Sequence, residues 1–462
     1  MKQYFPLYFL VLSILLIFLP GCDKFLEVPS PSYQVGSEQV FTNDGTATAA
    51  VSGIYSEMMA NPSQFTTGQL TLLTGLYSDE LLHFGTSDKD EFIDSRLTEA
   101  RHSTLSAHFW APAYRYIYTA NLSLEKLGKS STLSNTVRQQ LTGELKFIRA
   151  FCYLQLVNLF GDVPLVLTSD HSITARIPRS PIASIYNQIV ADLIDAKQLL
   201  TTTYAAPSTE KIRVNRWAAV ALLARVYLYQ KNWAAADAEA TAVISSGAYQ
   251  LVQTINQVFL KNSGEAIWQL QPVVPGWNTW EGRDILPATN ASAPTYLVRP
   301  ELISAFENGD LRRNAWIATR TFSGQQINYP YKYKVYGNNA PVTEYYTVLR
   351  LAEMYLIRSE ARAQLNNIAG AIADINIIRS RAGLASVSFA DTATLLAAVE
   401  QERRIELMVE WGHRWFDLKR TGKANGLLSI LKPATWSPAY LLWPIPNNQI
   451  SANPALVQNP GY

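Results

Sequence analysis

The sequence predicts a mainly α-helical protein built from pairs of antiparallel helices, with one loop-rich region that holds a few short strands. Three observations predict this fold class: apolar residues recur at helical spacing along most of the 462-residue chain, two segments repeat each other, and prolines gather in one region. With 48% apolar and 11% aromatic residues, the chain can bury a substantial core. The formal net charge of +2 gives no electrostatic reason to expect nucleic acid as a partner.

The chain begins with the pattern of a bacterial lipoprotein signal peptide. After a short basic start, an apolar run covers residues 4–19, which is too short to span a membrane comfortably. Cys22 follows this run closely, so cleavage before it would leave its thiol as the site of lipid attachment. Pro20 departs from the small residue that is usual there, and an ordinary signal peptide or a short anchor helix is the alternative. We expect residues 1–21 to be removed and residues 22–462 to form a single exported domain.

Helical signals dominate the first half of this domain. Apolar residues at spacings of three and four predict four helices, over residues 39–59, 104–127, 135–160 and 184–200. Asn43 provides an N-cap for the first helix, and Gly161 with Pro164 ends the third. Cys152 lies in an apolar stretch of the third helix. With Cys22 assigned to lipid, Cys152 has no disulfide partner, and we expect a buried free thiol.

Two later segments repeat each other at a constant offset of 137 positions (361 − 224). Each has the pattern of helix, short turn and helix, with small alanines that let the two helices pack closely, as in tetratricopeptide hairpins. Shared helical composition is the alternative explanation. The predicted hairpins cover residues 215–230 with 233–246, and residues 349–366 with 368–382. The matched pairs are Ala224 and Ala361, Arg225 and Arg362, Leu228 and Leu365, Ala234 and Ala371, Ala236 and Ala373, and Asp237 and Asp374.

The region between the two hairpins, residues 248–348, has a different composition. It is rich in proline, glycine and asparagine, and proline lacks the amide donor that a long helix needs. We predict a short strand over Ala266–Leu270 and an isolated helix over residues 300–308. A loop-rich region of this length, held on a helical scaffold covering about 39–247 and 349–420, is where function is usually carried.

The usual sequence motifs of catalysis and cofactor binding are absent from the chain. No GxGxxG, P-loop, HExxH, GxSxG or CxxC motif occurs, and the five histidines show no i, i+4 pair. We therefore expect no cofactor, no metal and no catalytic residue. One acidic cluster lacks EF-hand spacing, so a solvated loop is favoured over a calcium site. Three glutamates on one helical face are expected to pair with arginines rather than to hydrolyse glycosidic bonds. These acids are Asp88, Asp90, Glu91 and Asp94 in the cluster, and Glu402, Glu406 and Glu410 on the helix.

Several motifs, in a fixed order, carry a resemblance to a known family. They are the tether after Cys22, GELKFIRA with LFGDVPL over residues 144–165, LRLAEMYLIRSEA over 349–361, NIIRSRAG over 376–383, ERRIEL over 402–407, GHRWFDLKR over 412–420, LWPIP over 442–446 and QNPGY over 458–462. On these motifs the chain resembles the SusD/RagB-like outer-membrane nutrient-binding lipoproteins over essentially its whole length. Their number and order make the resemblance specific.

Most of these motifs are expected to form scaffold rather than a binding site. Arg149 in the long helix is expected to be a buried partner of a carboxylate, because a buried guanidinium needs acids close by. A second network of charges and aromatic rings is expected around residues 414–420, with Glu353, Glu360 and Glu406 as the candidate acids for buried arginines. Six tryptophans in helical or strand contexts are expected in the core: Trp110, Trp217, Trp233, Trp268, Trp411 and Trp415.

The resemblance implies a SusD-like fold and binding rather than catalysis. It implies a lipoprotein of the outer membrane, anchored through Cys22 and facing the cell exterior, that captures oligosaccharides and delivers them to a SusC-like TonB-dependent transporter. The tetratricopeptide-type side is expected to contact that transporter, and the irregular loops to hold the ligand. Three alternatives remain open: the same fold binding peptides or another nutrient, a glycan-degrading enzyme, and an assembly module without a small ligand.

Candidate sugar contacts follow from composition. Sugar rings present C–H faces to aromatic planes and hydroxyls at their edges, so a site needs exposed Trp or Tyr together with polar side chains. Trp277, Asn278, Trp280 and Arg283 have this composition in a loop flanked by glycine and proline. Tyr296 is a further candidate. His83 and Phe84 lie where members of the resembling family often add contacts.

Overall fold

The protein is described by a computed structural model over residues 37–205, 210–337 and 339–462. The predicted signal peptide, Cys22 and the tether lie outside these ranges, so their predictions remain untested. The structure is 55% helix and 8% strand, which confirms the predicted fold class. Within the described ranges, each helix is too short or too polar to cross a lipid bilayer.

The first half of the described chain is almost entirely helical. Its short strands are β1 (Leu81–His83), β2 (Val163–Pro164) and β3 (Arg179–Ser180), and a 3-10 turn covers Phe65–Thr67. Its helices are α1 (Ser37–Val40), α2 (Asp44–Ala60), α3 (Gln69–Tyr77), α4 (Asp90–Ile93), α5 (Glu99–Leu105), α6 (Ala111–Lys129), α7 (Asn135–Phe160), α8 (His171–Thr174) and α9 (Ile182–Leu199), with a π-helical turn at Ser106–Trp110 between α5 and α6.

The helix ends follow local capping chemistry. The Asn43 side chain accepts a hydrogen bond from the Gly45 amide at 2.7 Å, as predicted for the start of α2. The predicted helix 135–160 is confirmed at both ends, with Ser134 as N-cap and Gly161 at a φ of +75° after the last turn. The helix predicted over 104–127 is confirmed, but it belongs to a longer helical run over residues 99–129 that contains a π-helical turn. Pro112 lacks an amide, and the chain widens into the π-helical turn just before it.

The second half alternates short strands with helices. Its strands are β4 (Ala266–Leu270), β5 (Tyr296–Val298), β6 (Ile317–Phe322), β7 (Gln325–Pro330) and β8 (Tyr346–Arg350). Its helices are α10 (Arg216–Tyr229), α11 (Trp233–Ser245), α12 (Trp280–Ile285), α13 (Pro300–Ile303), α14 (Leu311–Trp316), α15 (Leu351–Gln364), α16 (Ile368–Arg381), α17 (Thr392–Glu406), α18 (His413–Arg420), α19 (Ala424–Leu431) and α20 (Asn447–Ala452), with 3-10 turns at Ile255–Gln257 and Pro438–Leu441.

The two predicted hairpins are confirmed as α10 with α11 and α15 with α16. They stack on each other, because α11 packs against α15. The repeated arginine of the second hairpin joins them: Arg362 donates to Asp237 of the first hairpin at 3.0 Å and to Asp374 of its own at 2.9 Å. The equivalent Arg225 instead donates to Glu353 of the second hairpin at 2.6 and 2.7 Å. The repeat therefore preserves the pairing of the two helices in each hairpin, whereas the two equivalent arginines bind different acids.

The strands form four antiparallel pairs rather than one sheet: β1 with β5, β2 with β3, β4 with β8, and β6 with β7. The predicted strand Ala266–Leu270 is confirmed, and its pairing with β8 ties the loop-rich region to the start of α15. The helix predicted over residues 300–308 is too long. It ends at Ile303, because the chain turns there and Asp310 caps the next helix by accepting from the Arg312 amide at 2.9 Å.

Most predicted core residues are buried as expected. Trp110, Trp268, Trp411 and Trp415 are buried. Trp217 and Trp233 are half-buried, since they lie on the outer sides of the first hairpin. Cys152 is a buried free thiol, and burial raises its pKa.

Buried arginines hold the interior together through paired charges. Arg149 donates to Asp192 at 2.7 and 2.8 Å, which confirms its predicted role. Glu353 pairs with Arg225, and Glu360 accepts two bonds from Arg420 at 2.5 and 2.7 Å.

A larger cluster lies between β8, α14, α16 and α17, and we call it the central network. It consists of Glu265, Arg312, Arg350, Arg381, Glu406 and Glu410. Arg350 contacts Glu265 at 2.8 Å and Glu406 at 2.5 Å. Glu402 joins its edge through Arg312 at 2.5 Å. The three glutamates are therefore ion-pair partners, as predicted, but they do not share one helical face, because α17 ends at Glu406 and Glu410 lies beyond it.

Candidate functional site

An open cleft of about 570 Å³ lies where the loop-rich region meets the first half of the chain. Its walls come from the segments around α3 and α4, the π-helical turn, the loops that carry α12 and β5, and the loop between β7 and β8. The side chains that line it combine aromatic rings with polar groups, as a sugar site requires. They are Ser63, Gln69, Lys89, His108, Trp277, Arg283, Asp284, Thr295, Tyr296 and Tyr336.

Two tryptophans and an arginine form one wall of the cleft. The rings of Trp277 and Trp280 stack with centroids 5.7 Å apart and planes at 30°. The Arg283 guanidinium carbon lies 4.6 Å from the Trp280 ring centroid and 5.7 Å from that of Trp277. Trp277 is half-buried and faces the cleft, so its position agrees with the predicted stacking surface.

Trp280 does not present an exposed face, and that part of the prediction is wrong. Its side chain is buried, and its indole nitrogen donates to the Met59 carbonyl at 2.6 Å. The physical reason is local: Thr279 accepts from the Gly282 amide at 3.0 Å and caps α12, which turns Trp280 inward. Trp280 therefore supports Trp277 from behind.

Asn278 also lies inside the protein rather than on the cleft surface. Its side-chain oxygen accepts from the amides of Thr343 and Glu344 at 2.8 and 3.0 Å, and its nitrogen donates to the Pro341 carbonyl at 3.2 Å. These bonds leave little capacity for a ligand. Asn278 instead fastens the Trp277 loop to the chain before β8.

The position of Trp277 also depends on a neighbouring loop. Tyr336 packs against it edge-on, with ring centroids 5.8 Å apart. Gly337 has a φ of +116°, and a Cβ atom there would lie 2.2 Å from Trp277 Cε3. Only glycine allows this approach between backbone and indole.

The pairing of β1 with β5 brings two further predicted residues together. His83 lies opposite Tyr296 in the register, and their rings meet edge-on at 5.8 Å. Tyr296 lines the cleft although most of it is buried, and burial raises its pKa. Phe84 is 38% exposed and packs on Phe322 at 5.5 Å. His83 and Phe84 therefore flank the cleft without lining it.

Seven lining residues were missed by sequence reasoning: Ser63, Gln69, Lys89, His108, Asp284, Thr295 and Tyr336. Lys89 lies in the segment that was interpreted as a solvated acidic loop. His108 comes from the π-helical turn, and such turns are frequent at functional sites. Burial lowers the pKa of His108 to about 4, so its ring is neutral at pH 7. Its Nδ1 atom has no hydrogen-bond partner in the described part of the chain.

The acid that lines the cleft is held by a cation. Asp284 accepts from Arg283 Nε at 2.8 Å and Nη2 at 2.5 Å, and from Gln69 at 3.4 Å. Burial raises the pKa of Asp284, and the Arg283 charge opposes that rise. In the described ranges, no group of three metal-ligating side chains is close enough to hold a metal ion. The geometry is that of a binding surface with an aromatic face and hydrogen-bonding edges.

The chain matches known proteins along most of its length. A family model described as the SusD family matches residues 312–462, and one described as starch-binding and associating with the outer membrane matches residues 24–228. The SusD-like protein P2 of Formosa agariphila is 28% identical to this chain and covers 98% of it and 99% of its own length.

Solved structures share the fold. A SusD superfamily protein from Parabacteroides distasonis is 25% identical, with a TM-score of 0.78 over 93% of this chain and 100% of that chain. A laminarin-binding SusD-like protein is 24% identical, with a TM-score of 0.74 over 91% of this chain and 100% of that chain. The matches cover both ends of the chain and its whole fold. The chain is therefore SusD-like over most of its length, and one of the two matching family models describes starch-binding proteins that associate with the outer membrane.

Proposed function

We propose that this protein is a non-catalytic surface lipoprotein that captures an oligosaccharide in the cleft and delivers it to a SusC-like TonB-dependent transporter. The observation that carries the proposal is the half-buried Trp277 ring, which faces a 570 Å³ cleft edged by hydrogen-bonding side chains. An aromatic plane with polar neighbours matches the C–H faces and hydroxyls of a sugar ring. The laminarin-binding relative supports a glycan as the ligand.

The contact residues we propose are those that line the cleft. Trp277 and Tyr296 supply ring surfaces, Arg283 and Gln69 bond hydroxyls, and Lys89 adds a further donor to the lining. His83, Phe84, Asn278 and Trp280 shape or flank this surface.

Anchoring through Cys22 is a separate part of the proposal. Burial of an acyl chain contributes roughly 0.8 kcal/mol per methylene, so two or more chains hold a protein at a membrane almost permanently. Radioactive palmitate fed to the producing cells should label the wild-type protein and leave a Cys22→Ala variant unlabelled. Equal label on both proteins would reject lipidation at this residue.

Titration calorimetry against a glycan panel and a peptide panel tests ligand capture. Trp277→Ala should weaken binding of the best glycan by about tenfold to a hundredfold, since truncating an aromatic residue at the centre of a binding surface costs roughly 2 kcal/mol. The matched control is Tyr118→Ala, an aromatic residue on α6 that is 49% exposed and outside the cleft lining. It should leave affinity unchanged. A calorimetric response to peptides but not to glycans would favour the peptide-binding alternative. Release of new reducing ends from a polysaccharide by the purified protein would establish a glycan-degrading enzyme.

A further inference from the structure

One cation faces the cleft without a close counter-charge. The Lys89 ammonium lines the cleft, and its nearest acid among the described residues is Asp88, at 3.8 Å. Asp88 is itself largely exposed and is held more closely by Arg101, at 2.6 Å. An ion pair at that distance and exposure contributes little. The three donors of the ammonium are therefore available to a ligand.

The other acids near Lys89 are turned toward different partners. Glu91 accepts from the Thr98 amide at 2.7 Å and from its hydroxyl at 2.8 Å. Asp90 accepts from the Ser87 amide at 3.1 Å. Neither of them, nor Asp88, lines the cleft. The acidic side chains of this segment therefore do not contribute to the surface of the cleft.

Arg283, a second cation in the lining of the cleft, also offers hydrogen-bond donors. Arg283 uses Nε and Nη2 to hold Asp284, which neutralises that acid. Its Nη1 atom has no partner among the residues that the structure describes, while the guanidinium plane rests on the two indoles. Arg283 and Lys89, from segments far apart in the chain, thus place free N–H groups in the lining of one cleft, and the lining carries a net charge of one positive unit at neutral pH.

We propose that the oligosaccharide taken by this cleft carries an acidic group, a carboxylate or a sulfate, which Lys89 and Arg283 bind together. Both groups only accept hydrogen bonds and carry the charge that the lining lacks, so they fit a surface rich in donors. Neutral hydroxyls donate as well as accept and require no net charge. The inference rests on the proposed function, because it names the class of sugar for the same site.

A calorimetric comparison separates this inference from the proposed function. The probes are neutral, uronate-containing and sulfated oligosaccharides of matched length, measured at 20 mM and 500 mM NaCl with the full mature chain. At low salt, we expect the affinity for an acidic probe to be at least about tenfold higher than the affinity for its neutral counterpart. Most of that preference should be lost at high salt. A comparison of the uronate-containing and sulfated probes then shows which acidic group the cleft prefers.

Variants assign the preference to the cleft. Lys89→Gln removes the positive charge, keeps a polar side chain that is one atom shorter, and should remove most of the preference for an acidic probe over a neutral one. The control is Lys231→Gln, at an exposed position in the turn between α10 and α11. Equal affinity for neutral and acidic probes, or an unchanged preference in Lys89→Gln, would overturn the inference and leave glycan capture standing. Absence of binding to every oligosaccharide would overturn both.

Discussion

The central network and the cleft use charged side chains in opposite ways. In the central network, Arg350 meets three buried carboxylates at 2.5 to 2.8 Å, and all of these groups are almost completely buried. In the cleft, Lys89 is partly exposed and its nearest acid is 3.8 Å away. A buried charge must be fully paired, whereas a charge at an open cleft can stay unpaired because water reaches it. Complete pairing fixes one structure, and incomplete pairing leaves capacity for a ligand.

The largest effect should come from breaking the central network. Glu406 accepts hydrogen bonds from Arg381, Arg350 and Arg312. Burial opposes its ionisation, but these three arginines hold the pKa of Glu406 well below its usual range. Glu406→Gln should lower the free energy of unfolding by about 3–5 kcal/mol, because it leaves buried cations without their shared counter-charge. Denaturant titration measures the loss.

The matched control for this variant is a glutamate on the same helix. Glu400 lies six residues before Glu406 in α17 and pairs with the exposed Lys423. Glu400→Gln should change the free energy of unfolding by no more than about 1 kcal/mol, since an exposed ion pair contributes little. Similar losses in the two variants would contradict the view that burial gives the central network its importance.

The scaffold could be predicted from sequence because its signals are local. Asn43 and Gly161 mark helix ends through bonds to residues a few positions away. Arg149 was expected to pair with an acid because it lies on an apolar helix, although the sequence could not show that the partner is Asp192. The repeated hairpins followed from the same kind of local pattern.

The cleft could be predicted only in part, because segments far apart in the chain assemble it. Composition found Trp277 and Arg283, but it could not separate Trp277 from Trp280. Their difference depends on the Thr279 cap and on a carbonyl more than two hundred residues away. The residues next to Lys89 and His108 in the sequence do not indicate that these two side chains line a site. A contact set of this kind is determined by tertiary structure.

A smaller effect should appear where the two regions meet, at Glu281 beneath the cleft wall. Burial raises the pKa of Glu281 to about 8, and the charge of Glu410 in the central network adds to that rise. Between the ordinary glutamate pKa and 8, the folded state keeps a proton that the unfolded state releases. Stability must then fall as pH rises through this window, by at most about 1.4 kcal/mol per pH unit for one proton.

Glu281→Gln should remove this part of the pH dependence. Denaturant titrations at pH 5 and pH 8 should show the variant gaining about 3.5 kcal/mol on the wild type between the two conditions, since glutamine has no proton to release. Glu80, whose pKa burial raises to about 7, should leave a residual slope in both proteins. Parallel pH profiles for wild type and variant would show that Glu281 is ionised in the folded protein.

The smallest change in stability, with a clear change in binding, should come from Gly337→Ala. The new Cβ would lie 2.2 Å from Trp277 Cε3, so the indole or the loop must move. We expect glycan affinity to fall about tenfold while the free energy of unfolding falls by only about 1 kcal/mol. The near-ultraviolet circular dichroism of the stacked Trp277 and Trp280 pair should change without any ligand present. Gly324→Ala is the control, because its φ of +78° imposes similar backbone strain with no atom within 4 Å of the new Cβ. If both variants weaken binding equally, backbone strain rather than the placement of the Trp277 ring sets the affinity of the cleft.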